Sequence, residues 1–383
     1  MDINKLIRPE LVNMKNYVPV ESTEILSQRA ELSSGKIIKL DGNENPYGCS
    51  PKVYQALATY PYYHNYPDPE QREMRKALGR YTGLGCQHIV CGMGSDELID
   101  LILRLFLRHG DEIINCPPTF GMYPFSTEVC GGCVVEVPRT KDFALDIVGI
   151  REALTRRTKV IFVASPNNPT GGIVTEKEVM ELVGTGKIVV VDEAYFEFNN
   201  VTMAYLVPSY PNLVVLRTFS KWAGLAGLRI GYGIFPIEIA KYLMKIKQPY
   251  NVNATAQAGA LASLTDIKYL RANIARIIRE RERLFGKLQE IGWLKPYPSQ
   301  ANFILCSLQS LNLPAPLAGE CLGEGKQLRG ESHAKDIWQQ LRKKGIFVRY
   351  FDTPGLKDCL RISVGRPEDT DTLVKALKEV KYD

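Results

Sequence analysis

Runs of consecutive apolar residues, each closing on polar or glycine-rich residues, constrain this 383-residue chain more than any other feature. Ile89-Val-Cys91, Val160-Ile-Phe-Val-Ala164, Ile188-Val-Val-Val191 and Leu213-Val-Val-Leu216 show no polar alternation. Strands of that kind are covered on both faces, as in a parallel sheet. Helical stretches lie between them, so the order of elements is that of an α/β sheet, whose ligands gather at the carboxyl edge. The polar segments that follow strands are Gly92-Met-Gly-Ser-Asp-Glu97, Cys116-Pro-Pro-Thr-Phe-Gly-Met-Tyr123, Ser165-Pro-Asn-Asn-Pro-Thr-Gly-Gly172, Asp192-Glu-Ala-Tyr195 and Thr218-Phe-Ser-Lys221.

Each of these segments carries chemistry that a plain loop does not require. Lys221 emerges straight after a buried strand, in partly dry surroundings that favour the neutral amine and hence Schiff-base formation. Ser-Lys alone says little, because most lysines reach for solvent. Asp192 follows three valines, where a carboxylate is costly unless a cation pairs with it. Gly92-x-Gly94 runs into a helix expected over 98–107, with Ser95 and Asp96 where an N-cap belongs. Free N–H groups and a positive dipole end there form a phosphate cradle, although the third glycine of the dinucleotide fingerprint is missing. Phe120 is either core or a stacking face for a flat heteroaromatic ring.

Asn43, Asn45 and Tyr47 in Gly42-Asn-Glu-Asn-Pro-Tyr-Gly48 read equally as turn chemistry and as the rim of a polar ligand site. The stretch Tyr60-Pro-Tyr-Tyr-His-Asn-Tyr-Pro-Asp-Pro69 holds too many phenols beside prolines for regular helix. So much aromatic surface seeks a partner.

Composition excludes several classes. Hydrophobic residues make up 45%, enough for a large core in two domains, and 23% charge does not suggest disorder. A net charge of +6 without a basic block argues against nucleic acid and suits a small anionic substrate. No apolar run reaches the ~18 residues of a membrane span, and Met1-Asp-Ile-Asn-Lys5 has no signal-peptide pattern. Nine cysteines without regular spacing suggest reduced thiols and a cytoplasmic protein. Cys130-Gly-Gly-Cys133 lacks the second pair or histidine of a zinc site, so no metal is expected.

The chain is expected to divide into an N-terminal arm at 1–36, a large domain at 37–270 opening with a strand at 37–41, and a small α+β domain at 271–383. A long amphipathic helix at 267–291 joins the last two, with Arg279-Glu-Arg-Glu-Arg283 as a solvated face. Residues 309–332 are expected to be an inserted loop.

Lysine, buried aspartate, tyrosine, asparagine, phosphate cradle and flat aromatic occur in one order along the chain. Each has a role around pyridoxal phosphate, whose pyridinium an aspartate keeps protonated. In this set, and in Leu-Asp-Gly-Asn-Glu-Asn-Pro-Tyr-Gly, Tyr-Pro-Asp-Pro, Arg-Thr-Phe-Ser-Lys, Gly-Leu-Ala-Gly-Leu-Arg and Leu-Arg-Ile-Ser-Val-Gly, the chain resembles the fold-type-I, pyridoxal-phosphate-dependent aminotransferases. Within them it resembles the histidinol-phosphate aminotransferase family, from about residue 7 to the end apart from 309–332.

The resemblance implies a large, mainly parallel α/β domain with a smaller α+β domain, and amino transfer between L-histidinol phosphate and 2-oxoglutarate in histidine biosynthesis. It implies that Lys221 binds pyridoxal 5'-phosphate and shuttles a proton, Asp192 meets the ring nitrogen, and Tyr195 and Asn168 meet the ring oxygen. Phe120 would stack on the ring, while Ser95, Asp96, Ser220 and Arg229 would form the phosphate pocket. Tyr66 would enter from a second subunit, which requires a homodimer. Arg361 and Arg349 would grip the substrate's anionic groups, with Tyr17 closing the site and Asn43 on the substrate side. Gly42 stands where the family commonly has alanine. Trp222 stands where a small or basic residue is usual, and could reshape one wall. The alternative is a paralogue acting on another amino acid: an aromatic aminotransferase, a decarboxylase of a phosphorylated amino acid, or an enzyme eliminating and cyclising a guanidino amino acid.

Overall fold

The computed structural model describes residues 1–30, 37–309 and 333–380, so the loop expected at 309–332 lies outside the described residues beyond Gln309. Among the described residues there are twelve strands: β1 (Ile38–Leu40), β2 (Ile89–Gly92), β3 (Glu112–Asn115), β4 (Cys133–Glu136), β5 (Thr158–Ala164), β6 (Ile188–Asp192), β7 (Leu213–Thr218), β8 (Gly231–Ile234), β9 (Leu294–Pro296), β10 (Phe303–Leu308), β11 (Ile346–Tyr350) and β12 (Cys359–Ser363). They form two sheets, and the chain divides into two compact units.

The first unit comprises Met1–Pro19, Glu44–Ile278 and Ser299–Asn302. Its seven-stranded sheet runs β2-β8-β7-β6-β5-β3-β4. From β4 to β7 all neighbours are parallel, and β8 alone runs against both β7 and β2. The absence of alternation has the expected cause: Val189, Val190 and Val191 are all fully buried, as are Leu213 to Leu216, because both faces of the sheet are covered. On one face Val90, Val190, Val214 and Leu216 pack in a common core with Leu98 and Ile102 of helix Gly94–Phe106.

The second unit comprises Val20–Asn43, Arg279–Pro298 and Phe303–Asp383. Its sheet runs β1-β11-β12-β10-β9, antiparallel except for the parallel pair β1–β11. Trp338 of helix His333–Lys343 ties that helix to β11 by donating to the Val348 carbonyl at 3.0 Å.

Three expectations change here. The strand at 37–41 does not open the large domain: β1 pairs Ile38 with Ile346 and Leu40 with Val348, a partner some three hundred residues away. The arm is divided, with residues up to Pro19 in the first unit and those from Val20 in the second. The 279–283 run is a solvated face only in part, at the exposed Arg279 and Glu282. Glu280 and Arg281 are buried, and Arg283 binds both Glu280 (2.8 Å) and Asp371 (2.7 Å), so the helix Ile267–Gln289 uses these charges to seat the second unit's own elements.

Candidate active site

Strand direction gathers the expected residues on one edge of the seven-stranded sheet. The carboxyl ends of β2, β3, β5, β6 and β7 share that edge with the start of β8. It therefore carries Ser95 and Asp96, Phe120, Asn168, Asp192 and Tyr195, Ser220 and Lys221, and Arg229.

Asp192 is the last residue of β6 and is only 4% exposed. Burial pushes its carboxyl up to about 6, even though Tyr123 donates to its Oδ2 at 2.8 Å and the Ala194 N–H to its Oδ1 at 3.1 Å. Beside it, the loop after β5 starts with the Ser165 N–H donating to the Asp192 carbonyl. Within that loop the two asparagines divide their work. Asn167 is fully buried, accepts from Thr119 at 2.7 Å and donates to the Pro118 carbonyl at 3.0 Å, so it holds the shape of the loop. Asn168 next to it stays half-buried at the edge.

The cradle after β2 differs in detail from expectation. The helix starts at Gly94 with Met93 at its N-cap position and no side-chain cap, so Ser95 and Asp96 lie in its first turn and are not caps. Glu97 reaches back to accept from the Met93 N–H at 2.5 Å. The first-turn amides thus keep the orientation that suits an anion. Asp96 instead pairs with Arg229 at 2.8 Å, which aims that guanidinium at the helix start. Arg229 adopts a left-handed backbone (φ 54°), a strain commonly tolerated at functional positions. Gly231 of β8 must lack a side chain, since a Cβ there would lie 2.6 Å from the Ser95 nitrogen.

Lys221 follows β7 after the buried residues Phe219 and Ser220. Thr218 braces the turn by donating to the Ser220 hydroxyl at 2.9 Å and accepting from the Ser220 N–H at 3.1 Å. The Lys221 Nζ stands 6.0 Å from the ring centre of Tyr195, itself buried. Trp222 turns inward and is 1% exposed. It stacks on Tyr81 (5.5 Å, 4°), and its carbonyl accepts from Asn45 at 3.0 Å. Its indole thus packs inward against Tyr81 and Phe219.

Elsewhere in this unit, Tyr66 is 82% exposed and stacks on Tyr250 (4.5 Å). Tyr17 meets Phe125 edge-on (6.1 Å) and lies against Gly121, one residue past Phe120. In the second unit, Arg349 of β11 stands directly opposite Arg361 of β12. Like charges so placed repel, and both guanidinium groups lie 5.8 Å from the Phe351 ring. Arg361 also donates to the Asp41 carbonyl at 2.5 Å. Asn43, buried with a left-handed backbone (φ 53°), accepts from the Ser363 hydroxyl at 2.8 Å.

The chain matches the family described as aminotransferase class I and II over residues 35–377. The chain belongs to that family. It is 48% identical over 379 residues to the histidinol-phosphate aminotransferase of Dehalococcoides mccartyi, covering 99% of each chain. It is 44% identical to histidinol-phosphate aminotransferase 1, chloroplastic, of Arabidopsis thaliana, covering 98% of this chain and 86% of that one. Among solved structures it is similar to histidinol-phosphate aminotransferase from Sinorhizobium meliloti in complex with pyridoxal-5'-phosphate, with a TM-score of 0.82 and 26% identity, covering 97% of this chain and 96% of that one.

As a class I and II aminotransferase the chain has the fold-type-I architecture expected of it. What sequence reasoning missed lies beneath the site edge. Glu193, adjacent to Asp192, forms a fully buried ion pair with Arg217 at 2.9 Å and accepts from the Met203 N–H at 2.6 Å. Arg217 also lies over the Phe196 ring at 3.6 Å. This pair fastens the ends of β6 and β7, the strands that lead to Asp192 and Lys221. The only signal was an arginine within an otherwise apolar strand. Tyr123 left a weaker one, as a single tyrosine among helix residues.

Proposed function

We propose that this aminotransferase transfers the amino group of L-histidinol phosphate to 2-oxoglutarate, giving imidazole-acetol phosphate and L-glutamate in histidine biosynthesis. Full-length likeness at 48% identity to a relative bearing that name carries this reading. The opposed pair Arg349 and Arg361 supports it, since two guanidinium groups side by side suit a substrate with anionic groups.

The residues present fit pyridoxal 5'-phosphate. A buried carboxylate at a strand end suits a pyridinium nitrogen, and an uncapped helix start beside an arginine suits a phosphate. When bound, the cofactor's ring supplies an electron sink for the substrate's α-carbon.

In this reading Lys221 holds the cofactor covalently and moves the proton at that carbon. Asp192 holds the ring nitrogen, Tyr195 and Asn168 donate to the ring oxygen, and Phe120 covers one face. Ser95, Ser220 and Arg229 bind the phosphate. Asp96 acts through its backbone N–H and by aiming Arg229, because its carboxylate would repel the phosphate. Arg349 and Arg361 grip the substrate's anionic groups, Asn43 supports their surroundings, and Tyr17 excludes water from the arm side.

The exposed stack of Tyr66 on Tyr250 supports a homodimer in which Tyr66 completes the partner subunit's phosphate pocket. Free cysteines throughout the described residues support a cytoplasmic setting. Among the described residues no helix is long and apolar enough to cross a membrane. Turnover is the test: purified protein given both substrates forms glutamate, and its absence overturns the proposal.

A further inference from the structure

Tyr123 has none of the roles above. It lies in the first turn of helix Met122–Val129, just past Phe120, and is fully buried. Its hydroxyl donates to Oδ2 of Asp192 at 2.8 Å, while the Ala194 N–H takes Oδ1. Its ring stacks on Phe162 of β5 (4.7 Å, 8°), which fixes it from beneath, and meets Phe120 nearly at right angles (5.6 Å, 83°). One phenol therefore touches both the carboxylate read as the partner of the ring nitrogen and the aromatic read as the ring's cover.

We infer that Tyr123 is a positioning residue: its hydroxyl holds Asp192 ionised and aimed at the ring nitrogen, and its ring edge sets the tilt of Phe120. This rests on the role proposed for Asp192. The forces on that carboxylate come from several elements. Burial favours its protonated form, and Asp96 from helix Gly94–Phe106 and the adjacent Glu193 add like-charge repulsion in the same direction. Tyr123 and the Ala194 N–H oppose them. Tyr195 lies three residues on, and Arg139 acts on Tyr123 from the loop after β4. Tyr123 itself stays protonated, because burial and the neighbouring carboxylate hold its phenol well above its ordinary value. It is therefore a constant donor across the working pH range. Without it the carboxylate is more basic and less firmly oriented. With the cofactor bound, Asp192 would then hold the ring nitrogen's proton more tightly, and the ring would be a poorer electron sink.

Tyr123→Phe keeps the ring contacts and removes only the oxygen. Loss of a hydrogen bond to a charged group predicts a fall in kcat of ~10-fold with KM little changed. Bound cofactor labelled with ¹⁵N in the ring would shift toward the unprotonated value, and cofactor dissociation would rise. In an Asp192→Asn background, adding Tyr123→Phe would change none of these. Thermal melting of the cofactor-free proteins separates a general packing defect from this effect, since Tyr123→Phe loses one hydrogen bond and should still melt cooperatively, only a few degrees lower. Equal losses in both backgrounds, or an unchanged nitrogen signal and kcat in Tyr123→Phe beside a defective Asp192→Asn, overturn the inference alone. A wild-type nitrogen signal and kcat in Asp192→Asn overturn the role of Asp192, and the inference with it.

Discussion

Gly224, in the loop behind Lys221, meets Gly48 so closely that a Cβ on Gly224 would stand 2.4 Å from the Gly48 carbonyl oxygen. The neighbour is backbone and cannot swing aside. Gly224 also has φ +68°, which costs other residues ~1–2 kcal/mol. Together with the Asn45–Trp222 bond, this contact clamps the lysine loop against residues 45–48. Gly224→Ala is expected to lose ~2 kcal/mol or more of stability by denaturant titration and to weaken cofactor binding. Gly227→Ala, three residues on, meets nothing within 4 Å and should change stability by ~0.5 kcal/mol or less. Equal effects at the two positions would contradict the clamp.

Glu197 gives a prediction in pH. It is buried, accepts from the Tyr81 hydroxyl at 3.3 Å, and burial pushes its carboxyl up to about 8 with Arg217 opposing. In the unfolded chain a glutamate titrates near ~4.3. The folded value is raised, so this group's contribution is fully present below ~4.3 and is lost as pH rises toward 8, with a limiting slope of about 1.4 kcal/mol per pH unit. Glu197→Gln removes that slope. Melting curves of both proteins from pH 5 to pH 8 check it, and parallel curves would show that Glu197 ionises normally.

The parts of the sequence that were legible follow from local physics. Val189 to Val191 and Leu213 to Leu216 announced themselves as strands because both faces of the sheet are dry, and the residues at their ends then had to share one edge. Distant pairing was not legible. The short β1 has no local signal for its partner β11. The packing of Trp222 was hidden too, because sequence does not say that Tyr81 would receive its indole. Glu280 and Arg281 looked solvated because their alternating charges conceal a buried seat. At the start of helix Gly94–Phe106, Ser95 and Asp96 have cap chemistry, but with the left-handed Gly94 (φ 76°) the helix begins at that residue, ahead of both.

The shared-site homodimer predicts complementation. Lys221→Ala and Tyr66→Ala proteins, mixed under conditions proven by a tag to exchange subunits, form a dimer with one doubly defective site and one intact site. Activity is expected to exceed that of either variant alone. If activity stays at or below the parents' average after proven exchange, Tyr66 serves its own chain or none.

Arg349 and Arg361 predict a substrate-dependent loss. A bond to a charged group contributes ~1.5–3 kcal/mol, so Arg349→Ala should lower kcat/KM for histidinol phosphate by ~10- to 100-fold. Dephosphorylated histidinol, lacking the group that Arg349 is proposed to read, should lose far less. An equal loss for both substrates would remove Arg349 from phosphate recognition.

The most direct measurement is kcat/KM for L-histidinol phosphate against L-phenylalanine, with 2-oxoglutarate as the common acceptor. Phenylalanine offers no phosphate to an arginine, so a preference for histidinol phosphate of ~100-fold or more is expected. Comparable values, or a preference for phenylalanine, would contradict the proposed function while leaving the aminotransferase fold in place.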